Sequence, residues 1–254
     1  ALTERGIERG SGGYVLAAES IDTPIVGRLL DRGLDDELSG TAYAVVDGVD
    51  GRTHHIRLGD LEATGDGPPG SILELRSFED ARGQRRVALA VRSDLGLHEQ
   101  ITAAGATWLD RQAIAREPAA LSAGGFGAEV HEALDQRADH LISEGLAKRL
   151  GARVVFNSNL IETLRRRELE LVGAKIAAES GQPFNRPASG AYVAGIYRQR
   201  LSLASGRFAM VDDGLGFQLV PWTPSLEKHL GQHVVSRDGG GVDWSFGRKR
   251  GLGL

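Results

Sequence analysis

The chain has 254 residues, 41% of them hydrophobic, with no cysteine and a formal net charge of −4. The lack of cysteine excludes disulfides and thiolate metal sites, and no apolar run reaches the ~18 residues a membrane span needs. Charge is unevenly spread: residues 1–120 carry 13 Lys+Arg against 20 Asp+Glu, residues 121–182 carry 8 against 9, and residues 183–254 carry 9 against 5.

Residues 1–20 read as a short helix, a glycine-rich break and an apolar Tyr14-Val15-Leu16 that docks on the strands after it. Residues 21–95 read as short strands at 24–30, 42–47, 53–58, 71–76 and 86–91, with a turn or single helical turn at 35–38. Asp47-Gly48 and Asp50-Gly51 supply the positive-φ positions of tight turns. Regular short strands with turn signals predict a small β-barrel-like unit over residues 1–120. Residues 107–111 read as helical, and Ser122-Ala123-Gly124-Gly125 as the clearest linker.

The period then changes. Phe126, Val130, Leu134, Ala138, Leu141 and Ile142 recur at three- and four-residue steps, the mark of an amphipathic helix ending near Gly145. Residues 147–156 fit a hairpin turning at Gly151. Asn159 and Glu162 have the spacing of a capping box for a second helix through Leu164, Val172 and Ile176. Helix, hairpin, helix predicts a winged-helix-like unit over residues 121–182.

Strands return at 192–197, 200–203, 208–211 and 217–222. Thr223 and Pro224 start a short helix that stops at Gly231, and a last strand lies at 242–246. This outline predicts a C-terminal SH3-like small β-barrel over residues 183–254. The expected fold class is therefore α+β in three units, and the two strand regions show no repeat.

The chemistry-bearing clusters are few. His54 and His55 are neighbours on a strand and face opposite ways, while Gly231 breaks the helical spacing of His229 and His233. Neither pair has a third ligand at metal-site spacing. Acidic runs such as Asp35-Asp36-Glu37 read as solvated turns. The basic residues are more informative. Arg165, Arg166 and Arg167 are consecutive on the second helix, and span too wide an arc for all three to be buried. Lys148, Arg149 and Arg153 sit on the adjoining hairpin. In a winged helix these elements contact phosphates. Arg248, Lys249 and Arg250 form a basic tail beside Trp244 and Phe246, a pairing that can clamp single strands. An anionic partner is expected to meet the second half of the chain.

Residues 206–222 (GRFAMVDDGLGFQLVPW), 225–231 (SLEKHLG) and 243–254 (DWSFGRKRGLGL) together resemble the C-terminal region of bacterial conjugative relaxases. These are mobilisation nucleases of the T-DNA border endonuclease type that carry a long C-terminal domain of unknown function. Residues 46–51 (VDGVDG), 104–111 (AGATWLDR) and 124–130 (GGFGAEV) fit the same region. The resemblance implies a parent enzyme that nicks one strand at a transfer origin and stays attached to its 5′ end through a tyrosine. The nicked strand then leaves through a type IV secretion channel. That chemistry needs a nucleophilic tyrosine and a His-rich metal cluster. Tyr14, Tyr43, Tyr192 and Tyr197 have no histidine cluster nearby in sequence, and His-x-His is absent. The chain, which begins mid-pattern at Ala1, is thus expected to be a non-catalytic fragment of a cytoplasmic bacterial protein, without cofactor or metal. Its expected partner is DNA, single- or double-stranded, near the transfer origin. The alternative is a protein-interaction module that docks the relaxase to relaxosome or type IV secretion proteins.

Overall fold

The computed structural model describes residues 14–17, 24–36, 40–60, 62–80, 82–83, 85–186, 192–238 and 242–246. The fold is mixed α+β, and the chain divides into two compact units, Ala1–Ile161 and Glu162–Leu254. The divide falls in the first turn of a long helix, Leu160–Ser180.

In the first unit, β1 (Tyr14–Ala17), β2 (Ile25–Asp36), β3 (Thr41–Gly48), β4 (Thr53–Leu58), β5 (Ile72–Glu79) and β6 (Arg85–Ser93) form one sheet. The strand order is β1-β4-β3-β2-β5-β6. β1 runs parallel to β4, and the other neighbours are antiparallel. β2 runs on to Asp36 through the segment expected to turn, across register shifts at Leu29/Asp31 and Leu34/Asp36. Such bulges leave a residue unpaired and bend the strand, so polar residues can continue it. Alternation places Leu29, Ala44, Val46, Ile56, Leu73 and Leu75 in one buried core.

Behind this sheet lie α1 (Leu97–Ile101), α2 (Trp108–Ile114) and α3 (Gly125–Ser143). Trp108, Leu109, Phe126 and Val130 pack with Val49 and Ile72 in a second core. The residues expected to form a linker are instead a tight joint. The Ser122 amide donates to the Val49 carbonyl at 2.8 Å. A Cβ on Gly127 would lie 2.4 Å from that same carbonyl oxygen, so only glycine lets α3 start directly on the β3–β4 turn. At the far end of α3, the Leu146 amide returns to the Leu141 carbonyl at 2.8 Å. β7 (Ala147–Leu150) and β8 (Arg153–Phe156) come next as a hairpin, and α4 (Leu160–Ser180) completes the helix–hairpin–helix order.

In the second unit, β9 (Tyr192–Leu203), β10 (Gly206–Asp212), β11 (Phe217–Pro221), β12 (His233–Asp238) and β13 (Val242–Phe246) form a sheet in the order β11-β10-β9-β12-β13. β12 is a strand that the sequence pattern does not predict. Val193, Tyr197, Ala209, Val211, Val220 and Val234 fill one face. Met210, Phe217 and Leu219 fill the other, under Leu169, Val172 and Ile176 of α4. β10 is therefore covered on both sides, which explains its near-continuous apolar run. Among the described residues neither sheet closes into a barrel: β1 and β6 end one, β11 and β13 the other. The small barrels expected from strand spacing are open sheets, because spacing reports strand count but not whether the last strand meets the first.

The two sheets carry one frame. β4-β3-β2-β5-β6 and β11-β10-β9-β12-β13 have the same connections and directions. A 3-10 turn joins the third and fourth strands of each, at Glu62–Thr64 and Pro224–His229. The bulge recurs: Leu29 faces Val46 and Asp31 faces Val45, while Tyr197 faces Val211 and Gln199 faces Met210. The bridge into the fourth strand recurs as well. Gly70 donates to Leu29 at 2.8 Å and Leu29 to Ser71 at 2.9 Å, as Gly231 does to Tyr197 at 2.8 Å and Tyr197 to Gln232 at 3.0 Å. Even the parallel neighbour is matched, since β1 pairs Tyr14 with Thr53 and an isolated bridge pairs Phe184 with Phe217. At matched positions Gly27 and Gly195 would each place a Cβ 2.4 Å from a backbone oxygen, of Asp47 and Asp212.

Those two aspartates are also ion-paired alike, Asp47 to Arg28 and Asp212 to Arg198, each at 2.8 Å. The Gly214 amide and the Arg198 guanidinium hold the Asp212 carboxyl below the ordinary carboxylate value of 3.8. Its folded pKa is thus lower than its unfolded one. The stability it contributes is present above the unfolded value and is lost as pH falls through the folded one. Urea midpoints measured from about pH 5 to about pH 2 should fall more steeply for the native protein than for Asp212→Asn.

Candidate nucleic-acid interface

The β7–β8 hairpin pairs Lys148 with Val155 and Leu150 with Arg153. Strand alternation puts these four on one face and Ala147, Arg149, Val154 and Phe156 on the other. Ala147 is buried, so the second face is the inner one. Arg149 pairs there with Asp139 of α3. The outer face is open: Leu150 is 64% exposed and Val155 49%. Lys148 and Arg153 are exposed beside them and have no ion-pair partner among the described residues.

The second unit holds a pocket of about 290 Å³ at the start of α4. Arg165 and Arg166 of α4 line it with Arg186, over an apolar floor of Leu169, Phe184, Phe208, Leu219 and Pro221. Glu162 and Glu170 complete the rim. Arg165 is paired to Glu162 at 2.6 Å and Arg186 to Glu170 at 3.3 Å. Arg166 is exposed and has no such partner among the described residues. Arg167 is exposed and does not line the pocket. Glu168, next in sequence, turns inward and accepts the Ala204 and Ser205 amides at 2.8 and 2.9 Å. The α4 acids are thus not a uniform salt-bridge partner for the arginines: Glu162 serves Arg165, Glu168 holds the β9–β10 turn, and Glu170 serves Arg186.

The floor is held rigidly. Phe184 lies 5.5 Å from Phe217 between ring centroids, and its neighbour Asn185 donates to the Phe217 carbonyl at 2.8 Å. On its other side, a Cβ at Gly173 would come within 2.4 Å of the Phe184 ring, so α4 presses against it.

Of the residues singled out in the sequence, the structure groups Lys148 with Arg153 in the first unit, and Arg165 with Arg166 in the second. Arg248, Lys249 and Arg250 lie outside the described residues. Sequence reasoning missed Arg186, Phe184 and Phe208. Arg186 stands alone between Asn185 and Pro187, so no basic run marks it. The one available signal was the Pro-Phe-Asn-Arg-Pro string at residues 183–187, with an aromatic and a cation two positions apart.

The histidines do not converge. His54 is buried with Nε2 3.1 Å from Asp50, while His55 stacks on Tyr43 at 5.3 Å. His229 contacts Gln232 through Nδ1 at 3.0 Å. Among the described residues no group of three or more His, Asp or Glu is placed to hold a metal. No helix there is long and apolar enough to cross a membrane.

Compared with known proteins, the chain matches a family described as "Protein of unknown function (DUF3363)" over residues 1–80 and 74–253. No curated protein matches it, and no solved structure does.

Proposed function

We propose, for a chain that belongs to the DUF3363 family along nearly its whole length, a non-catalytic DNA-binding role beside a conjugative relaxase. The observation that carries this reading is the pocket rim of Arg165, Arg166 and Arg186 over an apolar floor. Guanidinium groups in that setting suit phosphate, which they hold through several directed hydrogen bonds. Lys148 and Arg153 on the open hairpin face add cations of the kind a wing offers to a phosphate backbone. The resemblance of residues 206–254 to relaxase C-terminal regions supports DNA near a nicked transfer origin as the partner.

Binding of this kind is mainly electrostatic and weakens steeply with salt. Anisotropy titrations of the full chain against single- and double-stranded oligonucleotides, at ~50 and ~200 mM salt, test it. Tight binding at low salt that fades at high salt is expected. Arg166→Ala should lower the slope of log affinity against log salt by about 0.7 on single strands, one phosphate's worth. No binding at the lower salt would end the reading.

A second reading is favoured by one observation, the exposed Leu150 and Val155 on the hairpin. Apolar side chains exposed on one open face suit a protein partner, such as a relaxosome or type IV secretion component. Reversing the charge of Arg165, Arg166 and Arg167 together separates the two. It should abolish DNA binding and leave a hairpin-docked protein partner in place.

A further inference from the structure

We infer that the pocket of the second unit takes one unpaired nucleobase of a single-stranded nucleic acid, with the flanking phosphate held by Arg166 and Arg186. This rests on the DNA-binding reading above and narrows it to strand form and contact mode.

Size is the first reason. At about 290 Å³ the pocket stands at the small end of ligand sites, room for a base but not for a stretch of duplex. A paired base also keeps its faces inside its own stack and cannot enter. Shape and chemistry are the second. Every base has a flat π-face, and Phe184, Phe208, Leu219 and Pro221 offer an apolar floor for one. The floor is set before binding, because Phe184 is wedged between Gly173 and Phe217, so little ordering is needed on capture.

Charge is the third reason. The rim carries three guanidinium groups against two carboxylates. Arg166 is available, and Arg186, 70% exposed, is held to Glu170 only at 3.3 Å. An exposed pair of that kind contributes little and yields readily to a phosphate. The carboxylates have a use of their own. Glu162 and Glu170 can accept hydrogen bonds from the exocyclic amines of adenine, cytosine or guanine. They also repel a second phosphate, so the site suits one nucleotide rather than a continuous backbone track.

The first sheet serves as an internal comparison. Its frame places Tyr43, His55 and Arg57 where the second has Phe208, Leu219 and Pro221. There the Tyr43 and His55 rings stack on each other, and Arg57 is bound to Asp35 at 2.9 Å. The same positions are spent on internal contacts in one copy and face a pocket in the other.

The test uses the full chain and three labelled probes of about 12 nucleotides, within the usual site range: oligodeoxycytidylate, an abasic strand of equal length, and a duplex. The base-bearing strand should bind about tenfold tighter than the abasic one. Pro221→Trp, at an exposed floor position, should erase that preference and keep the binding to the abasic strand. Equal affinity for base-bearing and abasic strands would overturn the inference and leave the DNA reading standing. Retention of the full preference by Pro221→Trp would also overturn it, by putting the base elsewhere. No binding to any probe would defeat both readings. Capture of an acidic, aromatic peptide that Pro221→Trp abolishes, with no base preference, would give the pocket to a protein partner.

Discussion

Arg137→Ala should cost the first unit about 3–5 kcal/mol. Arg137 lies inside α3 with its side chain 2% exposed, against an Asp110 side chain at 0%. Every N–H of the guanidinium is used. Nε and Nη2 reach the two Asp110 oxygens, each at 2.8 Å. Nη1 donates to Ile101 and Ala103 at 3.2 and 2.7 Å, and Nη2 also donates to Gly105 at 3.0 Å. Asp110 in turn accepts the Thr107 amide and hydroxyl at 2.7 and 2.9 Å. Truncating the arginine leaves a buried carboxylate with no counter-charge, its Oδ1 without the arginine donor and only Thr107 on Oδ2, and takes the guanidinium donor from three carbonyls. Removing both charges is a different matter, because the desolvation of the pair disappears with it. Arg137→Met with Asp110→Leu should therefore lose much less than the two single changes added together. Urea unfolding followed by Trp108 fluorescence reads this, since Trp108 packs in the same core. A loss below about 1 kcal/mol for Arg137→Ala would show that the network does not hold the unit together.

Gly27→Ala and Gly195→Ala should each cost about 3 kcal/mol, near the upper end for overpacking. At each site the new Cβ would stand 2.4 Å from a backbone oxygen, not from the movable end of a side chain. Relief requires the first strand of the sheet to part from the second. The two changes should register in different places. Gly27→Ala acts where Trp108 reports, and Gly195→Ala where Trp222 and Trp244 report. Ordinarily Gly→Ala gains a few tenths of a kcal/mol through the unfolded state. A neutral result at either site would refute the close approach there.

Much of the strand content was legible. An apolar run ending in turn residues marks β3 at 42–47, and β4 returns at 53–58, where His54, Ile56 and Leu58 are buried and Thr53, His55 and Arg57 are not. β12 was not legible. His233-Val234-Val235-Ser236-Arg237-Asp238 is short, and its two valines are adjacent rather than alternating. The extension of β2 was hidden by Asp35-Asp36, which read as a turn until bulges are allowed for. The shared frame was hidden more deeply. In the matched segments 41–48 and 206–212, identity is confined to Ala44 with Ala209, Val46 with Val211 and Asp47 with Asp212. A frame is held by burial and register, which many residue pairs satisfy, so it survives without visible likeness. The interface was half legible. A basic run announces Arg165 and Arg166, but the floor that makes a pocket of them comes from separate elements. Only packing brings Phe184, Phe208 and Leu219 together. The strings at 46–51, 104–111 and 124–130 have packing explanations: the first and third meet at the Gly127 joint, and the second carries Asp110.

Two sheets with one register in a single chain pose a sorting problem during synthesis and refolding. The β2–β3 hairpin could in principle capture β12 in place of β5, as repeats do when they misassemble. The sequences discourage the exchange. The matched register would set Ser236 where Leu75 is fully buried, and His233 where Ile72 is. A hydroxyl and an imidazole would enter cores that offer them no partner, so the wrong pairing is penalised as soon as β12 takes the place of β5. Divergence between the copies thus acts as an address label: β12 is accepted in its own sheet and rejected in the other.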